Sequence, residues 1–330
     1  MKKRPKILVV GSFVMDQIAT TEVVPREGQT VMGKAFHKAP GGKGANQAVQ
    51  AARLGAEVTM IGKLGRDANG EEMIRVCENA GIDVSRVLYD EHTASGCALI
   101  ILQEKANEPT QNRILVIPGT NMTITPSEVE GLKEEIGKFD MIILQNEIPM
   151  AINVQVARYA YEKGVPVMLN SAPSMPIPEE LYKYLTYISP NETEIEDMTG
   201  IHIPHCGMEV DRGEARRAAE VLFGKGVKNV LITLGSAGAL LLNEKGEFYS
   251  PCASNVKVAD PTAAGDSFVG AFCIGVCCGW NTEDILMFAN HTAAITVSKM
   301  GAMPSLPTLE MVEKGIKERE KTIPNTEVLK

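Results

Sequence analysis

The feature that most constrains the fold is a regular alternation of short apolar segments and helical patterns between residues 139 and 233. The predicted strands are 140–145, 165–169, 185–189 and 229–233, and the predicted helices are 151–162 and 212–224. Such an alternation builds a parallel sheet with helices on both faces. We therefore expect a three-layer α/β/α sandwich with a mostly parallel central sheet, to which residues 7–10 add a further central strand.

Polar residues stand where the predicted strands end. Asp16 comes just beyond the first strand, and Glu147, Asn170, Asn191 and Thr233 mark the ends of later ones. The carboxyl ends of parallel strands share one edge of a sheet, and α/β folds bind their ligands there. The sequence therefore predicts a single crevice lined by these side chains. No G-x-G-x-x-G motif follows the first strand, which disfavours a dinucleotide site.

Residues 258–272 read V-A-D-P-T-A-A-G-D-S-F-V-G-A-F. A short apolar strand is expected to enter this stretch, and Asp260 and Pro261 to end it. A helix then begins at Ala-Gly-Asp, because Phe268 and Phe272 recur at a spacing of four. The first N–H groups of a helix are unpaired and its dipole is positive at that end. This helix start therefore predicts a site for a phosphate or a developing oxyanion.

Asp266 lies at the mouth of this anion site, directly after Ala263, Ala264 and Gly265. A lone aspartate at a helix start more often serves as the cap of that helix. A cap does not need three small residues before it, whereas a ligand that approaches the backbone closely does. We therefore interpret Asp266 as a general base beside an anion hole.

A second glycine-rich segment, A39-P-G-G-K-G-A-N-Q-A, precedes a helix of small residues. Its glycines can be explained by a tight turn alone, and Lys43 and Asn46 would then be solvated. In the alternative interpretation a ligand is pressed against the backbone, and Lys43 and Asn46 supply side-chain contacts to it.

A predicted hairpin interrupts the parallel pattern. Its strands are 96–103 and 113–117, and its polar loop is 104–112. We assign this hairpin, with part of 18–38, to a small β lid, because a hairpin does not belong in a parallel sheet. The predicted organisation is one domain at 1–316, a lid formed by about 14–38 and 93–120, and a charged tail at 317–330 that frays. Further expectations are a helix at 71–79, a helix capped by Thr125 and a hairpin at 239–250.

The formal net charge is −8 and no basic cluster occurs beyond residues 2–4, so nucleic acid is not an expected partner. No stretch approaches the roughly 20 apolar residues of a membrane span, and no signal peptide is recognised. The seven cysteines lack paired spacing, which indicates reduced thiols in a cytoplasmic protein. Cys273, Cys277 and Cys278 follow the anion site on an apolar helix and are interpreted as buried structural thiols.

The predicted crevice offers a base, an anion hole and carboxylates, but no Ser-His-Asp set. Phosphoryl transfer needs mainly positioning and charge neutralisation, so it suits these groups. Asn191 and Glu194 lie three residues apart at a helix start and are able to hold Mg²⁺ through water; alternatively, Glu194 only complements the helix dipole. His202, His205 and Cys206 share a loop but lack a second ligand pair, which makes a zinc site improbable.

The segments G41-G-K-G-A-N-Q-A and D260-P-T-A-A-G-D-S-F-V-G-A resemble the two signature motifs of the ribokinase-like (phosphofructokinase-B-type) carbohydrate kinases, and P190-N-E-T-E resembles their N-x-x-E motif. The similarity runs from about residue 6 to 310, and several segments are most similar to the members that act on ribose. The resemblance implies an α/β sandwich with a β lid that closes over the sugar and often mediates homodimer formation. It also implies ATP-dependent transfer of a phosphoryl group to the 5-hydroxyl of D-ribose.

The resemblance further implies roles for individual residues. Asp266 would be the base that acts on the primary 5-hydroxyl, with the anion hole formed by Ala263, Ala264 and Gly265. The residues implied to hold the sugar are Asp16, Gly42, Lys43, Asn46 and Glu147. The residues implied to bind the nucleotide are Asn191, Thr233, Gly235, Gly238 and, near the adenine, Asn290. Mg²⁺ and an activating K⁺ are the implied metal cofactors, and the counterpart ligands of K⁺ are Asp260 and Ser305 with the backbone oxygens of Thr262, Thr296, Lys299 and Gly301.

The sequence departs from the family pattern at two positions. Val14 stands where asparagine is usual in G-S-x-N-x-D. An apolar side chain discriminates poorly against a sugar that lacks a hydroxyl, because it makes no hydrogen bond to that hydroxyl. This substitution makes 2-deoxy-D-ribose the leading alternative to ribose. Pro261 stands where threonine is common, and it is expected to shift the K⁺ loop slightly.

Two other functions remain open at the level of the sequence. A kinase of the same family for a nucleoside or a hexose phosphate is one of them, although only Phe13 and Phe36 are candidates for a base platform in the lid. A non-catalytic sugar-binding protein on this scaffold is the other, and the intact Gly265–Asp266 pair argues against it.

Overall fold

The computed structural model describes residues 3–104, 111–206, 209–319 and 321–330. Its strands are β1 (Lys6–Val10), β2 (Val14–Thr21), β3 (Ala35–Gly41), β4 (Glu57–Ile61), β5 (Lys63–Gly65), β6 (Leu88–Asp90), β7 (Cys97–Gln103), β8 (Gln111–Ile117), β9 (Met141–Gln145), β10 (Val167–Asn170), β11 (Tyr187–Ser189), β12 (His205–Cys206), β13 (Glu209–Val210), β14 (Asn229–Thr233), β15 (Ala239–Asn243) and β16 (Gly246–Ser250). Its α-helices are α1 (Lys43–Arg53), α2 (Ala68–Asn79), α3 (Leu132–Glu135), α4 (Met150–Glu162), α5 (Glu179–Tyr182), α6 (Glu192–Thr199), α7 (Arg212–Gly224), α8 (Ala264–Cys278), α9 (Thr282–Val297) and α10 (Leu309–Lys317).

The central sheet has eight strands in the order β16-β15-β14-β11-β10-β9-β1-β4. Within this sheet the neighbouring strands β4, β1, β9, β10, β11 and β14 are parallel. Strands β15 and β16 are added at the other edge by antiparallel pairing. Strands β9 and β10 are buried along their whole length, as continuous apolar runs covered on both faces should be. The predicted parallel sheet and the predicted hairpin at its edge are confirmed.

Two hydrophobic cores lie on opposite faces of this sheet. In β1, Ile7 and Val9 point into the core that includes α1, α8 and α9, whereas Leu8 and Val10 point into the core that includes α4 and α7. Alternate side chains of a strand face opposite sides, so one apolar strand feeds both cores. The three-layer α/β/α architecture expected from the sequence is therefore confirmed.

A separate four-stranded sheet, which we call the small sheet, has the order β3-β2-β7-β8. Strand β2 pairs antiparallel with β3 and parallel with β7, and β7 and β8 form the expected hairpin. Strand β3 reaches Gly41, three residues further than the segment 18–38 from which it was predicted. Of the predicted hairpin loop, residues 105–110 lie outside the described residues.

The chain passes between the small sheet and the main body at residues 11–13, Gly42, Gly96 and Gly119. We call this connection the waist. A Cβ atom placed on Gly96 would lie 2.3 Å from the Asn121 amide nitrogen, and one on Gly119 would lie 2.4 Å from the Ala94 carbonyl oxygen. Backbone therefore packs against neighbouring atoms at this waist with no room for a side chain.

Three local expectations need correction. No strand precedes Asp260; instead, Val258 is 60% exposed and the N–H groups of Ala259 and Asp260 both donate to the Val297 carbonyl. The helix predicted at 71–79 begins at Ala68, because Asp67 accepts a hydrogen bond from the Gly70 N–H and caps it. Thr125 does cap a helix, but the turn that follows is a 3₁₀ helix over Pro126–Val129.

The expectation that the C-terminal tail frays is wrong for its described residues. Leu329 is 3% exposed and belongs to one of the two cores. The Trp280 indole N–H donates to the Asn325 carbonyl (2.9 Å), and Arg4 donates to the Lys330 carbonyl (2.6 Å). An apolar anchor within a charged segment is enough to dock it, and charge composition alone does not show such an anchor.

Among the helices that the structure describes, none has the combined length and apolar character that a bilayer crossing demands.

Candidate active site

Helix α8 begins at Ala264 with its cap at Ala263, whose φ of 60° is left-handed. The Asp266 side chain is not the cap, so the alternative interpretation of this residue is wrong. Its carboxylate is 6% exposed and points towards α1. There it accepts hydrogen bonds from the Asn46 amide (2.8 Å) and the Gln47 amide (2.9 Å). Two neutral donors therefore fix both oxygens of Asp266 in one orientation.

The tip of α8 carries unused backbone donors beside this carboxylate. The Ala264 N–H donates to the Pro261 carbonyl (3.2 Å). Within the described ranges, the N–H groups of Ala263, Gly265 and Asp266 donate to no acceptor. A Cβ atom on Gly265 would meet no heavy atom within 4 Å. A carboxylate and a bare helix tip thus border the same volume, as a general base beside an anion hole requires.

Close packing of the glycine-rich segment brings α1 to this place. Gly42 has φ of 91°, and a Cβ atom on it would lie 2.6 Å from the Val14 backbone nitrogen. A Cβ atom on Gly44 would lie 2.5 Å from the Ser12 backbone nitrogen. These positions admit only glycine without rearrangement. The glycines are therefore needed for packing of backbone on backbone, and this packing aims the first turn of α1 at the crevice.

The Lys43 ammonium stands among three carboxylates. Burial alone lowers the pKa of Lys43, but the negative charges of Asp266, Glu147 and Glu194 outweigh it and raise the pKa above its ordinary value. Lys43 is therefore a permanent cation inside the crevice. Such a cation compensates part of the negative charge that these carboxylates concentrate there.

Glu147 links the end of β9 to the start of α1. One of its oxygens accepts hydrogen bonds from the Lys43 backbone N–H (2.9 Å) and from the Ser12 hydroxyl. The Ser12 hydroxyl also accepts from the Gly44 N–H (3.2 Å). Sequence reasoning missed Ser12. The available signal was its position directly after Gly11, at the point where the first strand ends.

Asp16 lies on β2 of the small sheet, next to Gly41. Burial, followed by the charges of Glu147 and Asp260, raises the pKa of Asp16 to about 6. Asp16 therefore belongs electrostatically to the same crevice as Glu147, although the two residues sit on different sheets.

A second residue that sequence reasoning missed is Gln47. Its amide donates to Asp266 and lies 3.2 Å from the Asn170 side-chain oxygen, while its carbonyl accepts from Gln145 (2.7 Å). The Oδ1 atom of Asn46 is buried and has no hydrogen-bond partner among the described residues. Two adjacent amides on a helix of small apolar residues were the available signal, because a buried helix otherwise excludes such side chains.

The residues predicted to bind nucleotide lie along the carboxyl ends of neighbouring strands, with one exception. Asn191 and Thr233 pair side by side where β11 and β14 end. Gly235 and Gly238 follow in a turn with φ of 50° and 106°, so both positions favour glycine. Asn290 lies on α9, where its amide donates to the Ser250 and Pro251 carbonyls (3.1 Å each) and fixes the turn after β16.

Glu194 forms a capping box with Asn191. The Glu194 N–H donates to the Asn191 side chain (2.8 Å), and the Asn191 N–H donates to the Glu194 carboxylate (3.0 Å). Burial raises the pKa of Glu194 against the opposing hydrogen bond from Asn191 and charge of Lys43. Glu194 therefore has the alternative role, that of an acidic residue at the start of α6. An additional role in holding Mg²⁺ stays a prediction.

Asp260 connects the loop before α8 to the turn after α9. It accepts from the Thr262 N–H (2.9 Å), the Thr262 hydroxyl (2.6 Å) and the Gly301 N–H (2.8 Å). Burial raises its pKa, but these hydrogen bonds outweigh burial and hold the pKa below its usual value. The Lys299 N–H donates to the Thr296 carbonyl (3.1 Å), and the buried Ser305 hydroxyl donates to the Ala302 carbonyl (2.7 Å). The K⁺ site expected at Asp260, Ser305 and the neighbouring backbone oxygens stays a prediction.

The histidines of the 202–206 loop each contact a glutamate on α6. His202 lies 2.8 Å from Glu196 and His205 lies 3.2 Å from Glu192, and the Cys206 side chain lies outside the description. Within the described ranges, no group of three or more His, Cys, Asp or Glu side chains is arranged to hold a metal ion. The cysteines predicted to be structural lie on α8, where Cys273 and Cys278 are buried.

Comparisons with known proteins place this site in a family. Residues 4–309 match the pfkB family of carbohydrate kinases. The ribokinase of Bacillus subtilis is 36% identical over 307 residues, which are 93% of this chain and 98% of that protein. The deoxyribokinase of Salmonella typhi is 34% identical over 306 residues, which are 92% of this chain and 96% of that protein.

A solved structure of Arabidopsis thaliana ribokinase complexed with ribose and ATP resembles this fold with a TM-score of 0.86. That protein is 32% identical, and the match covers 96% of this chain and 99% of the Arabidopsis chain. The resemblance inferred from the glycine-rich motifs is confirmed by these matches. The chain belongs to the pfkB family of carbohydrate kinases and is a phosphotransferase whose acceptor is a hydroxyl group.

Proposed function

We propose that this enzyme transfers the γ-phosphoryl group of ATP to the 5-hydroxyl of D-ribose. The observation that carries the proposal is the position of Asp266, whose carboxylate faces the same volume as the unused N–H groups at the tip of α8. The similarity to ribokinases, one of them solved with ribose and ATP, supports the choice of both substrates.

The sugar is held by polar groups of α1, β2 and the turn after β9. Asp16 accepts hydrogen bonds from sugar hydroxyls, and Lys43 and Glu147 contact the ring from the opposite side. The buried Oδ1 atom of Asn46 has no partner among the described residues and accepts from a further hydroxyl. Gly42 contributes by leaving its backbone accessible. A buried acceptor that is hydrogen-bonded by a sugar hydroxyl also discriminates strongly against analogues without that hydroxyl.

In the chemical step, the Asp266 carboxylate takes the proton of the primary hydroxyl. The hydroxyl oxygen forms a bond to the γ-phosphorus, and the bond from that phosphorus to the bridging oxygen breaks, releasing ADP. The N–H groups of Ala263, Gly265 and Asp266 stabilise the negative charge on the equatorial oxygens during transfer. Ala264 contributes by its small size, since its own N–H is occupied by Pro261.

The nucleotide and the cations are bound by residues next to the sugar site. Asn191, Thr233, Gly235 and Gly238 line the phosphates, and Asn290 shapes the adenine end through the turn that it fixes. Asn191 and Glu194 would hold Mg²⁺ through water, and the ion would supply charge neutralisation at the phosphates. The proposed K⁺ ligands are Asp260 and Ser305 with the backbone oxygens of Thr262, Thr296, Lys299 and Gly301. We place the enzyme in the cytoplasm, because the buried thiols of Cys77 and Cys273 suit a reducing compartment.

The experiment that tests this function is a substrate panel with detection of ADP, run in potassium and in sodium buffers. The panel contains ribose, 2-deoxyribose, a hexose phosphate and a nucleoside. We expect the highest kcat/KM on ribose, more activity in potassium than in sodium, and a 5-phosphate product by NMR. Turnover confined to the nucleoside or to the hexose phosphate would overturn the proposal.

2-Deoxy-D-ribose is the second candidate substrate, and Val14 favours it. Val14 is 5% exposed and begins β2, two residues before Asp16. An apolar side chain there offers a sugar hydroxyl no hydrogen bond. We predict that Val14→Asn raises the ratio of kcat/KM for ribose to that for 2-deoxyribose by about tenfold, the value of one added hydrogen bond of roughly 1.4 kcal/mol. Kinetics on the two sugars with parent and variant measure this ratio, and an unchanged ratio would show that Val14 does not contact the 2-position.

The raised pKa of Asp16 predicts how activity changes with pH. The carboxylate accepts sugar hydroxyls fully only when ionised, and its pKa is about 6 in the free enzyme. We expect kcat/KM for the sugar to fall by about tenfold between pH 7 and pH 5, since each unit below a pKa removes a factor of ten of the active form. Asp16→Asn should lower kcat/KM at pH 7 and remove this inflection. An identical pH profile in parent and variant would assign the inflection to another group.

Protonation of Asp16 has the opposite effect on folding. A carboxyl with a raised folded-state pKa binds its proton more tightly in the folded than in the unfolded chain. Its contribution to stability is present below the ordinary pKa of 3.8 and is lost as the pH rises through about 6. The ionised carboxylate thus binds the sugar in a pH range where it no longer stabilises the fold.

We further propose that the small sheet is a lid and mediates a homodimer. Strand β8 is exposed along its whole length, with Ile114 55% and Leu115 60% exposed on opposite faces of the sheet. Apolar strands of this kind mark interaction surfaces. We predict that the parent elutes as two 35.6 kDa chains in size exclusion with light scattering, and that Ile114→Asp with Leu115→Asp yields a monomer. A parent that is monomeric at micromolar concentration would contradict this assembly.

A further inference from the structure

A groove of about 560 Å³ opens at the end of the central sheet opposite Asp266. It lies where β11 and β14 begin, between the last turn of α8 and the loop that enters β14. We call it the far groove; its principal lining residues are Tyr187, Lys228, Lys245, Phe272, Val276 and Trp280. Trp280 follows Asp266 by fourteen residues along α8 and its end, a rise of about 20 Å at 1.5 Å per residue. None of the groups proposed for phosphoryl transfer lines this groove.

Aromatic rings line the far groove and are held in place by other contacts. Tyr187 packs edge-on against Phe272, with ring centroids 5.4 Å apart. Trp280 packs edge-on against Phe288 at 5.0 Å, and its indole N–H donates to the Asn325 carbonyl (2.9 Å). The rings therefore need no rearrangement to receive a flat ligand, and preformed aromatic pockets of this volume typically bind one small molecule.

Unpaired polar groups surround these rings. Within the described ranges, neither Lys228 nor Lys245 has a carboxylate within 4.0 Å, although the chain carries an excess of acidic residues. The Tyr187 hydroxyl also has no hydrogen-bond partner in the described part of the chain, and burial raises its pKa to about 12, so it is a neutral donor. The Asn243 amide donates to the Asn229 side-chain oxygen (3.1 Å), and the Asn229 amide donates to the Thr186 carbonyl (2.9 Å). The groups without a partner among the described residues of the groove thus include two cations and one O–H donor, with the Glu244 carboxylate beside them.

We propose that the far groove is a binding site for a small planar aromatic anion. The ring of such a ligand packs against the partly exposed rings of Tyr187 and Trp280, with the buried Phe272 ring beneath them, and its acid group is received by Lys228, Lys245 and the Tyr187 hydroxyl. Apolar ring area supplies most of the affinity, while the two ammonium groups select an anion over a neutral molecule of the same shape. Glu244 borders the same rim and repels an anion, so the acid group of the ligand lies on the side of the two lysines.

The test uses the complete chain and two probes, 1-naphthoate for an aromatic carboxylate and AMP for an aromatic phosphate. Binding is measured by isothermal titration calorimetry, with the neutral 1-naphthalenemethanol as the matched ligand. Trp280 is the only tryptophan in the sequence, so quenching of intrinsic fluorescence reports occupancy at this groove. We expect saturable binding of at least one anion, accompanied by quenching, and binding of the neutral analogue that is at least fivefold weaker.

The decisive variant is Lys228→Ala with Lys245→Ala, compared with Lys133→Ala with Lys163→Ala. Both double variants remove two exposed cations, but the second pair lies outside the groove. We expect anion affinity to fall about five- to tenfold in the first variant only, as two partly exposed ion pairs predict. Sugar phosphorylation without probe should be equal in all three proteins. Equal anion affinity in both variants, equal binding of the neutral analogue, or no saturable binding of either anion would overturn the proposal.

Discussion

Replacing Asp266 by asparagine should lower kcat on the best sugar by about 10³-fold, near the middle of the range for loss of a general base. Asparagine has the same shape but takes no proton from the hydroxyl. The sugar is held mainly by residues of α1 and β2, so its dissociation constant should change less than threefold. Turnover is measured by ADP release, and sugar affinity by calorimetry.

The variant is informative only if it folds, and the structure indicates that it does. Asparagine has the shape of aspartate and still offers one oxygen, so only one of the two amide donors, of Asn46 or of Gln47, loses its acceptor. The free energy of unfolding should therefore fall by no more than about 1–2 kcal/mol, the cost of one imperfect buried hydrogen bond. A stable variant that keeps a tenth or more of the parent kcat would show that Asp266 is not the base.

Gly265→Ala should lower kcat by about 100-fold without loss of stability. The new methyl group meets no protein atom within 4 Å, and alanine is favoured over glycine in a helix by about 1 kcal/mol. The same methyl group extends into open space at the helix tip, where the proposed mechanism places the phosphoryl group. A displacement of about 1 Å at the reacting centre is enough for a loss of this size. Urea unfolding and steady-state kinetics on the same preparation measure both quantities.

Gly42→Ala provides the contrast, because there the methyl group has no room. With φ of 91° and a Cβ atom 2.6 Å from the Val14 nitrogen, alanine should reduce the free energy of unfolding by about 3 kcal/mol through backbone strain and overpacking. Activity then falls together with stability. If Gly265→Ala proved as unstable as Gly42→Ala, the α8 tip would be a packed helix start and could not serve as an anion hole.

The sequence was most informative where one pattern carried both the fold and the chemistry. Buried parallel strands show as unbroken apolar runs, so β9, β10 and β14 were located to within a residue or two. Their carboxyl ends meet at one edge of the parallel sheet, and this topology predicts that Glu147 and Asn170 lie in one crevice. The left-handed cap at Ala263 was compatible with the run of small residues, although nothing in the sequence specified that conformation.

The rest depended on tertiary contacts that have no local pattern. The role of Gln47 follows from α1 packing against α8, which lies more than 200 residues later in the chain. The expected strand before Asp260 failed because the Val297 carbonyl, supplied by the end of α9, takes the N–H groups that a sheet would have used. The tail docks through Leu329, with Ile323 and Val328 packed against the same core, and so few apolar residues in a charged segment are too weak a signal to interpret from the sequence.

The waist between the two sheets has a mechanical consequence. Asp16 belongs to the small sheet and Asp266 to the main body, so the carboxylate proposed to bind the sugar and the one proposed to deprotonate it are carried by different parts of the fold. Gly42, Gly96 and Gly119 sit at the joint between those parts, packed too tightly for side chains. The distance between the two carboxylates is therefore set by the conformation of this waist. A cross-link that restricts the waist should alter binding of the sugar while leaving every proposed catalytic group unchanged.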